Sequence, residues 1–199
     1  MLLGMELNTF QNPLAPGLLL VSKPEAGDPR FLNSVSLLCL HDEQGSLALV
    51  LNHPLPLFID SHELSVSDQK ENDNCYPLFR GGPVGDEQCF FLMISETQPE
   101  GSEKINENLY LGAHKETLSD FSYKVGLKRD NIRFFIGYAG WSYFQLDCEA
   151  SNGWWFTLPK TDPSIFQKPV ESLWLSSLEK LGPDFEKKGR EFLDSDLFS

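Results

Sequence analysis

Hydrophobic and polar positions alternate along the chain in a pattern that predicts short strands with helices between and after them. Apolar, branched and aromatic runs predict strands at residues 18–22, 35–41, 47–52, 78–80, 89–94, 132–140 and 154–158. Apolar residues at near-helical spacing after Pro169 predict a late helix that ends at Gly182. Because the strands are most frequent in the first half and do not alternate regularly with helices, the pattern predicts an α+β protein.

The segments between these runs carry turn and helix signals. The five residues 42–46 contain a glycine and predict a hairpin between two strands, and Pro54 and Pro56 are expected to end the second of them. Residues 61–76 are acidic and polar, which predicts a surface loop after a short helical turn at 58–64. Helices are predicted at 114–123 and 141–150, and the charged tail from Asp184 is expected to fray.

Charge and composition narrow the classes of function. The 199 residues include 29 acidic and 16 basic side chains, for a net charge of −13. Such a chain repels phosphate backbones on average, which disfavours direct nucleic-acid binding. No apolar run reaches the ~18–20 residues that span a bilayer, and the N-terminus lacks a signal-peptide pattern. We therefore expect a cytoplasmic protein that makes no membrane contact, with its four cysteines reduced.

Standard catalytic and ligand motifs are missing from the sequence. It contains no G-x-G-x-x-G, no Walker A sequence, no G-x-S-x-G and no H-E-x-x-H, and the four histidines show no close metal-ligand spacing. We accordingly predict no cofactor, no metal and no assigned catalytic residue. No internal repeat or Gly/Ser linker divides the chain, which predicts a single domain.

The turn Arg80-Gly81-Gly82-Pro83 is one candidate ligand site. Two glycines allow backbone N–H groups to be exposed, and an arginine supplies a forked cation, so the turn could hold a phosphate or carboxylate. A tight structural turn, with Arg80 paired to an internal acid, explains the same residues and is favoured. Asn52 and His53 close the preceding strand and could face the same cleft, although helix or turn capping explains Asn52 alone.

A second candidate site lies after the strand at 132–140. If a helix starts near Trp141, then Trp141, Gln145 and Glu149 lie four residues apart along one stripe and could line a polar ligand site. Core packing of Trp141, with Gln145 and Glu149 satisfying neighbouring polar groups, is the favoured alternative. Because Trp154 and Trp155 are consecutive in a strand, one indole is expected in the core and the other at the surface.

Cys39 and His41 suggest a catalytic dyad, because side chains two apart in a strand share a face. Val35 and Leu37 would share that face too, which marks it as directed towards the core. Buried cysteines are usually inert, so an unreactive Cys39 is the favoured interpretation.

An ordered set of motifs resembles the bacterial YqgE/AlgH family across residues 14–182, with extensions at 1–13 and 183–199. The matching segments are Asp28-Pro29-Arg30-Phe31, Leu49-Val50-Leu51-Asn52-His53-Pro54, Gly81-Gly82-Pro83-Val84, Gly137-Tyr138-Ala139-Gly140-Trp141 and Gln145-Leu146. The resemblance implies a cytosolic α+β domain whose mostly antiparallel sheet folds into a partly closed, barrel-like body with surrounding helices. It implies no established reaction, and some members are described as candidate transcriptional regulators. His53 stands where the family usually has Arg or Lys, and Phe144 where it usually has Gly.

The sequence is compatible with three functions. The favoured hypothesis is a non-enzymatic regulatory or binding protein, which acts indirectly on gene expression through a small ligand or a protein partner. The first alternative is an enzyme that acts on a small polar or anionic substrate with Glu149 as general base. The second is a thiol-based redox sensor that uses Cys39 or Cys148.

Overall fold

Ten strands form one open sheet in the computed structural model, which describes residues 13–24, 28–60, 75–159, 166 and 169–196. The strands are β1 Leu19–Ser22, β2 Val35–Asp42, β3 Gly45–Val50, β4 Pro54–Asp60, β5 Cys75–Arg80, β6 Val84–Ile94, β7 Glu103–Lys104, β8 Leu109–Gly112, β9 Ile132–Trp141 and β10 Trp155–Leu158. The helices are α1 Lys115–Lys124, α2 Gln145–Ser151, α3 Leu173–Leu181 and α4 Pro183–Asp196. Short 3-10 turns cover Pro29–Phe31 and Val170–Ser172.

The sheet runs in the order β10-β1-β2-β3-β9-β6-β8-β7, and every neighbouring pair on this path is antiparallel. The long strand β9 organises it. Its first half lies between β6 and the parallel strand β5, and its last three residues pair with β3. These pairings confirm a single α+β domain with a mostly antiparallel sheet. The path has two ends in the described part of the chain, so the sheet is not closed and the expected barrel-like body is not supported.

The strand β4 corrects two expectations. The strand that Pro54 and Pro56 were expected to end, β3, does end before them at Val50, but the two prolines lie within β4, where both are exposed. Among the described strands β4 pairs only with β5, and an edge strand tolerates prolines because it has unpaired positions. The helical turn expected at 58–64 is wrong at 58–60, which belong to β4. Cys75 and Tyr76, expected in a loop, begin β5, and residues 61–74 lie outside the described residues.

The C-terminal segment also differs from the expectation. Residues 183–196 form α4 instead of a frayed tail, and Phe185, Phe192 and Leu193 pack against the main core. Gly189, which interrupts the helical pattern of the sequence, lies where α4 meets α3. A Cβ at this position would come within 2.5 Å of Leu178 Cδ1, so the glycine allows the two helices to approach closely.

Alternating strand positions divide the interior into clusters on the two faces of the sheet. The largest cluster fills the space between the sheet and α3 and α4, and a second surrounds Phe31, Trp141 and Trp155. A third is covered by α1 through Leu118 and Phe121. No helix in the described ranges has the length and apolar character needed to cross a membrane.

Candidate functional site

Three aromatic rings from separate elements form the wall of a cleft. Phe31 of the first 3-10 turn stacks on Trp141 at the end of β9, with ring centroids 6.2 Å apart and planes 19° apart. Trp155 of β10 meets both rings edge-on, at 5.2 Å from Phe31 and 5.9 Å from Trp141. All three side chains are buried, so their mutual packing fixes the shape of the wall.

The carboxylate of Glu149 ties this wall to α2. Its Oε2 accepts hydrogen bonds from Trp141 Nε1 at 2.8 Å and from Trp155 Nε1 at 2.9 Å. Its Oε1 accepts a third bond from Gln145 Nε2 at 2.9 Å, and Gln145 Oε1 accepts from the backbone N–H of Ser142. Buried indole N–H groups need acceptors, and one half-buried carboxylate satisfies two of them.

The expected helix over 141–150 is correct only from Gln145 onwards. Trp141 is the last residue of β9, and residues 142–144 turn the chain into α2. Trp141, Gln145 and Glu149 therefore do not form a helical stripe. Their side chains still come together, because the turn directs α2 back past the end of β9. Glu149 thereby lies within hydrogen-bond distance of the Trp141 indole.

These walls enclose a cleft of about 710 Å³. It is lined by Lys23, Asp28, Arg30, Phe31, Pro83, Val84, Gly140, Trp141, Gln145, Glu149, Asn152, Gly153, Trp154 and Trp155. A second, more open cleft of about 490 Å³ adjoins it and shares Val84, Gly140, Trp141 and Gln145. A concave site with aromatic walls and a few placed polar groups is typical of small-molecule binding sites.

One end of the cleft carries its charged rim. Asp28 caps the first 3-10 turn by accepting from the Arg30 backbone N–H at 3.0 Å, and it also accepts from Arg30 Nε and Nη2. These side-chain hydrogen bonds hold the pKa of Asp28 below its usual range. Lys23 Nζ lies 5.0 Å from the centre of the Phe156 ring.

Trp154 stands on the same rim and is 62 % exposed, whereas Trp155 is 7 % exposed. One buried and one exposed indole were expected, although Trp154 precedes β10 and does not lie within it as the sequence predicted. Gly153 adopts a left-handed conformation, with φ of 70°, and the backbone N–H of Trp154 donates to the backbone carbonyl of Glu149. This closure of α2 turns the chain so that Trp154 projects outward before β10 begins.

Of the residues singled out in the sequence, Trp141, Gln145 and Glu149 line the cleft, and the other five do not line it. Asn52 accepts from Val35 N and donates to Asn33 O, both at 2.8 Å, which joins two loops. His53 is half-buried, with Nε2 3.3 Å from Leu32 O, and burial lowers its pKa. Arg80 is exposed and pairs with Asp86 at 2.9 Å.

Gly81 and Gly82 are buried where the chain crosses β9. A Cβ on Gly81 would lie 2.2 Å from Gly137 O, and one on Gly82 would lie 2.1 Å from the Tyr138 carbonyl carbon. The Gly81 N–H already donates to Ile136 O at 2.8 Å. Close packing of backbone therefore accounts for these glycines, and the Gly81 N–H is not free to cradle an anion.

The favoured interpretation of an unreactive Cys39 agrees with the structure, because the side chains of Cys39 and His41 leave opposite faces of the sheet and do not form a dyad. A β-bulge between Leu38 and Leu40 breaks the alternation of β2. Cys39 is fully buried in the main cluster, where burial raises the pKa of its thiol. His41 faces the other way, with Nδ1 2.8 Å from Ser46 Oγ and Nε2 3.7 Å from Asp147 Oδ1 on α2.

The cleft offers few free reactive groups. Both oxygens of Glu149 already accept N–H donors, which favours a role in positioning the tryptophans over one in proton transfer. Within the described residues, no three His, Cys, Asp or Glu side chains are grouped as metal ligands. The rim residues Lys23 and Asn152 were missed in the sequence, and Arg30 was noted only as part of a family motif.

Comparison with known proteins agrees with the motif resemblance. The family model DUF179, described as AlgH-like, matches residues 19–186. UPF0301 proteins of Chlorobium luteolum and Cytophaga hutchinsonii are each 34 % identical to this chain; the matches cover 87 % of it and 89 % and 93 % of the relatives.

Two solved structures share the fold. The solution structure of the AlgH protein from Pseudomonas aeruginosa has a TM-score of 0.66 at 29 % identity, covering 84 % of this chain and 88 % of that one. A crystal structure of a Corynebacterium diphtheriae protein has a TM-score of 0.70 at 20 % identity, covering 89 % and 93 %. The resemblance noted in the sequence is thereby confirmed, and the chain belongs to the AlgH-like family of UPF0301 proteins.

Proposed function

We propose that this protein is a non-enzymatic regulatory protein that binds a small ligand in the cleft between α2 and the 3-10 turn at Pro29–Phe31. The proposal rests on one observation, which is that the carboxylate in the cleft wall already has its hydrogen-bond partners within the protein. The Glu149 oxygens are engaged by three N–H donors, while the cleft beside them has a volume of about 710 Å³. A rigid, pre-satisfied wall next to open space suits binding and orientation of a ligand.

The proposal extends to an indirect effect on gene expression in the cytoplasm, through a protein partner that responds to the ligand. The net charge of −13 supports the indirect route, since a protein that binds nucleic acid needs a cationic surface. A gel-shift assay with genomic DNA fragments at about 150 mM salt, where nonspecific contacts are weak, should show no band shift. Sequence-selective binding under these conditions would replace the indirect route with a direct one.

A thermal-shift screen of nucleotides and metabolites tests ligand binding. Binding to the native state raises stability by about 2.7 kcal/mol at a hundredfold excess over the dissociation constant. We expect at least one compound to raise the melting temperature of the wild type and to have a weaker effect on Trp154→Ala. Tyr123→Ala is the matched control, because it removes an exposed aromatic side chain from α1, away from the cleft.

Turnover separates binding from catalysis. After prolonged incubation of a binding compound with the protein, mass spectrometry should recover it unchanged. A product formed by the wild type but not by Glu149→Gln would instead support the enzyme hypothesis with Glu149 as general base. If no compound shifts the melting temperature of the wild type, the small-ligand proposal fails.

A further inference from the structure

The charged groups of the cleft are not equally available to a ligand. Of the four charged side chains that line the cleft in the described part of the chain, two are carboxylates, and both already accept several hydrogen bonds. Asp28 accepts from the backbone N–H, Nε and Nη2 of Arg30, at distances from 2.7 to 3.1 Å. Glu149 accepts from two indole N–H groups and one amide. The negative charges of Asp28 and Glu149 are therefore satisfied from within the protein.

The Lys23 ammonium group is in a different state. It lies 5.0 Å from the centre of the Phe156 ring, and no described carboxylate lies within ion-pair distance of it. An attraction to an aromatic face uses none of the three N–H bonds of an ammonium group. In a chain with 29 acidic residues and only 16 basic ones, a lysine in a cleft with no described acidic partner is a ready site for an anion.

Trp154 provides a flat apolar surface beside this cation. A Cβ placed on Gly153 would lie 3.2 Å from Lys23 Nζ, so the ammonium group sits against the residue that precedes Trp154. The Trp154 side chain is 62 % exposed, and none of the aromatic ring pairs of the described residues includes it. Its indole face is therefore open to stacking by a planar group, whereas the rings of Phe31, Trp141 and Trp155 are occupied by one another.

We propose that the cleft binds a planar aromatic molecule that carries one anionic group, with the ring on Trp154 and the anion at Lys23. This inference rests on the proposed function, that the cleft binds a small ligand, and it specifies the chemical class. Arg30 Nη1, which makes none of the hydrogen bonds to Asp28, is a second donor on the same rim. A nucleoside monophosphate and an aryl carboxylate share this chemistry, and either fits within about 710 Å³.

The net charge limits how anionic the ligand can be. A protein with a charge of −13 repels distant anions, and one lysine with one partly engaged arginine offsets little of that repulsion for a triphosphate. We therefore expect AMP to bind more tightly than ATP. Inorganic phosphate has no ring that could stack on Trp154, so we expect it to bind more weakly than AMP.

Calorimetric titration at constant ionic strength tests the assignment with two probe sets. The first set is AMP, ATP, adenosine and inorganic phosphate, and the second is 2-naphthoate and its neutral amide. In at least one set, the anion should bind more tightly than its neutral analogue by a factor of about ten or more, as expected for one charge-assisted hydrogen bond. The set that responds identifies the source as phosphate or carboxylate.

Variants of Lys23 locate the anion. Lys23→Gln should weaken binding of the anionic probe about tenfold and leave the neutral probe unchanged, while Lys23→Arg should restore most of the affinity. Trp154→Ala should weaken both probes. Lys104→Gln removes an exposed charge from β7 and should have no effect on either. Melting temperatures near that of the wild type would show that each variant is folded.

The outcomes separate this inference from the proposed function. If neutral analogues bind as tightly as the anions, or if Lys23→Gln changes nothing, the anion assignment is wrong and ligand binding stands. If none of these probes binds while the broad screen finds a ligand of another class, the inference also fails alone. If neither the probes nor the screen gives binding, both the inference and the proposed function fail.

Discussion

Trp141 and Trp155 donate their indole N–H groups to one oxygen of Glu149, at 2.8 and 2.9 Å. This shared acceptor joins the end of β9, the start of β10 and the middle of α2. Two buried donors that depend on one carboxylate make the wall of the cleft sensitive to a single substitution.

Glu149→Gln should therefore destabilise the protein. An amide has one acceptor oxygen in place of two, and its NH₂ group would face the Gln145 Nε2 donor. We expect a loss of about 1–3 kcal/mol in the free energy of unfolding, measured by urea denaturation. Glu179→Gln changes an exposed glutamate of α3 and is the control. Equal stability of the two variants would show that the shared acceptor contributes nothing.

Gly82→Ala should be among the most disruptive small substitutions in the chain. The new Cβ would lie 2.1 Å from the backbone of Tyr138, and backbone cannot move aside as a side chain can. The expected loss is about 3 kcal/mol or more, or failure to fold. Gly140→Ala is the matched control, since the nearest atom there belongs to the movable Tyr138 ring. A mild effect of Gly82→Ala would contradict the packing role assigned to this turn.

Phe144→Gly should stabilise the protein. Phe144 precedes α2 in a left-handed conformation, with φ of 60°, and its side chain is exposed. That conformation costs a non-glycine residue about 1–2 kcal/mol, partly offset by the greater freedom of glycine in the unfolded chain. We expect a net gain of about 0.5–1 kcal/mol by thermal or urea denaturation. Phe144→Ala keeps the strain and should give no gain; a gain of the same size would point to removal of the exposed ring instead.

The protein should lose stability as the pH falls, because His53 becomes protonated. Burial lowers the pKa of His53 below its ordinary value of 6.5, so the unfolded chain binds its proton more readily than the folded protein does. Stability is therefore retained above pH 6.5 and lost as the pH falls from there towards the folded-state pKa. His53→Gln should flatten this part of the profile, whereas His114→Gln, at an exposed position before α1, should not. Identical profiles for wild type and His53→Gln would exclude His53 as the source.

Thiol labelling should divide the cysteines into two groups. Cys75, Cys89 and Cys148 are exposed, while Cys39 is fully buried and burial raises the pKa of its thiol. Alkylation of the native protein, followed by mass spectrometry, should modify the three exposed cysteines and leave Cys39 intact until denaturant is added. Rapid oxidation of Cys39 by mild peroxide would support the redox-sensor hypothesis. Slow oxidation of all four thiols would exclude that hypothesis for both Cys39 and Cys148.

The sequence predicted most strands because alternation and β-branched or aromatic content act locally. It placed the end of β9 within one residue but began the next helix at Trp141 instead of Gln145, since the run into Trp141 carries no proline or strong cap before α2. Two further features could not be predicted from the local pattern. Gly189 breaks a helical pattern but fits against Leu178, and the bulge after Leu38 turns His41 away from Cys39. The cleft itself joins residues from Lys23 to Trp155, which periodicity alone cannot bring together.

The indole N–H signals of the four tryptophans give the most direct test of ligand binding in the cleft. In a ¹⁵N-labelled sample titrated with AMP and, separately, with 2-naphthoate, the Trp154 signal should move most. The Trp174 signal should stay in place, because its N–H is buried and donates to Ser22 O at 2.9 Å. A saturating shift of Trp174 with Trp154 unchanged would place the ligand elsewhere and contradict the account.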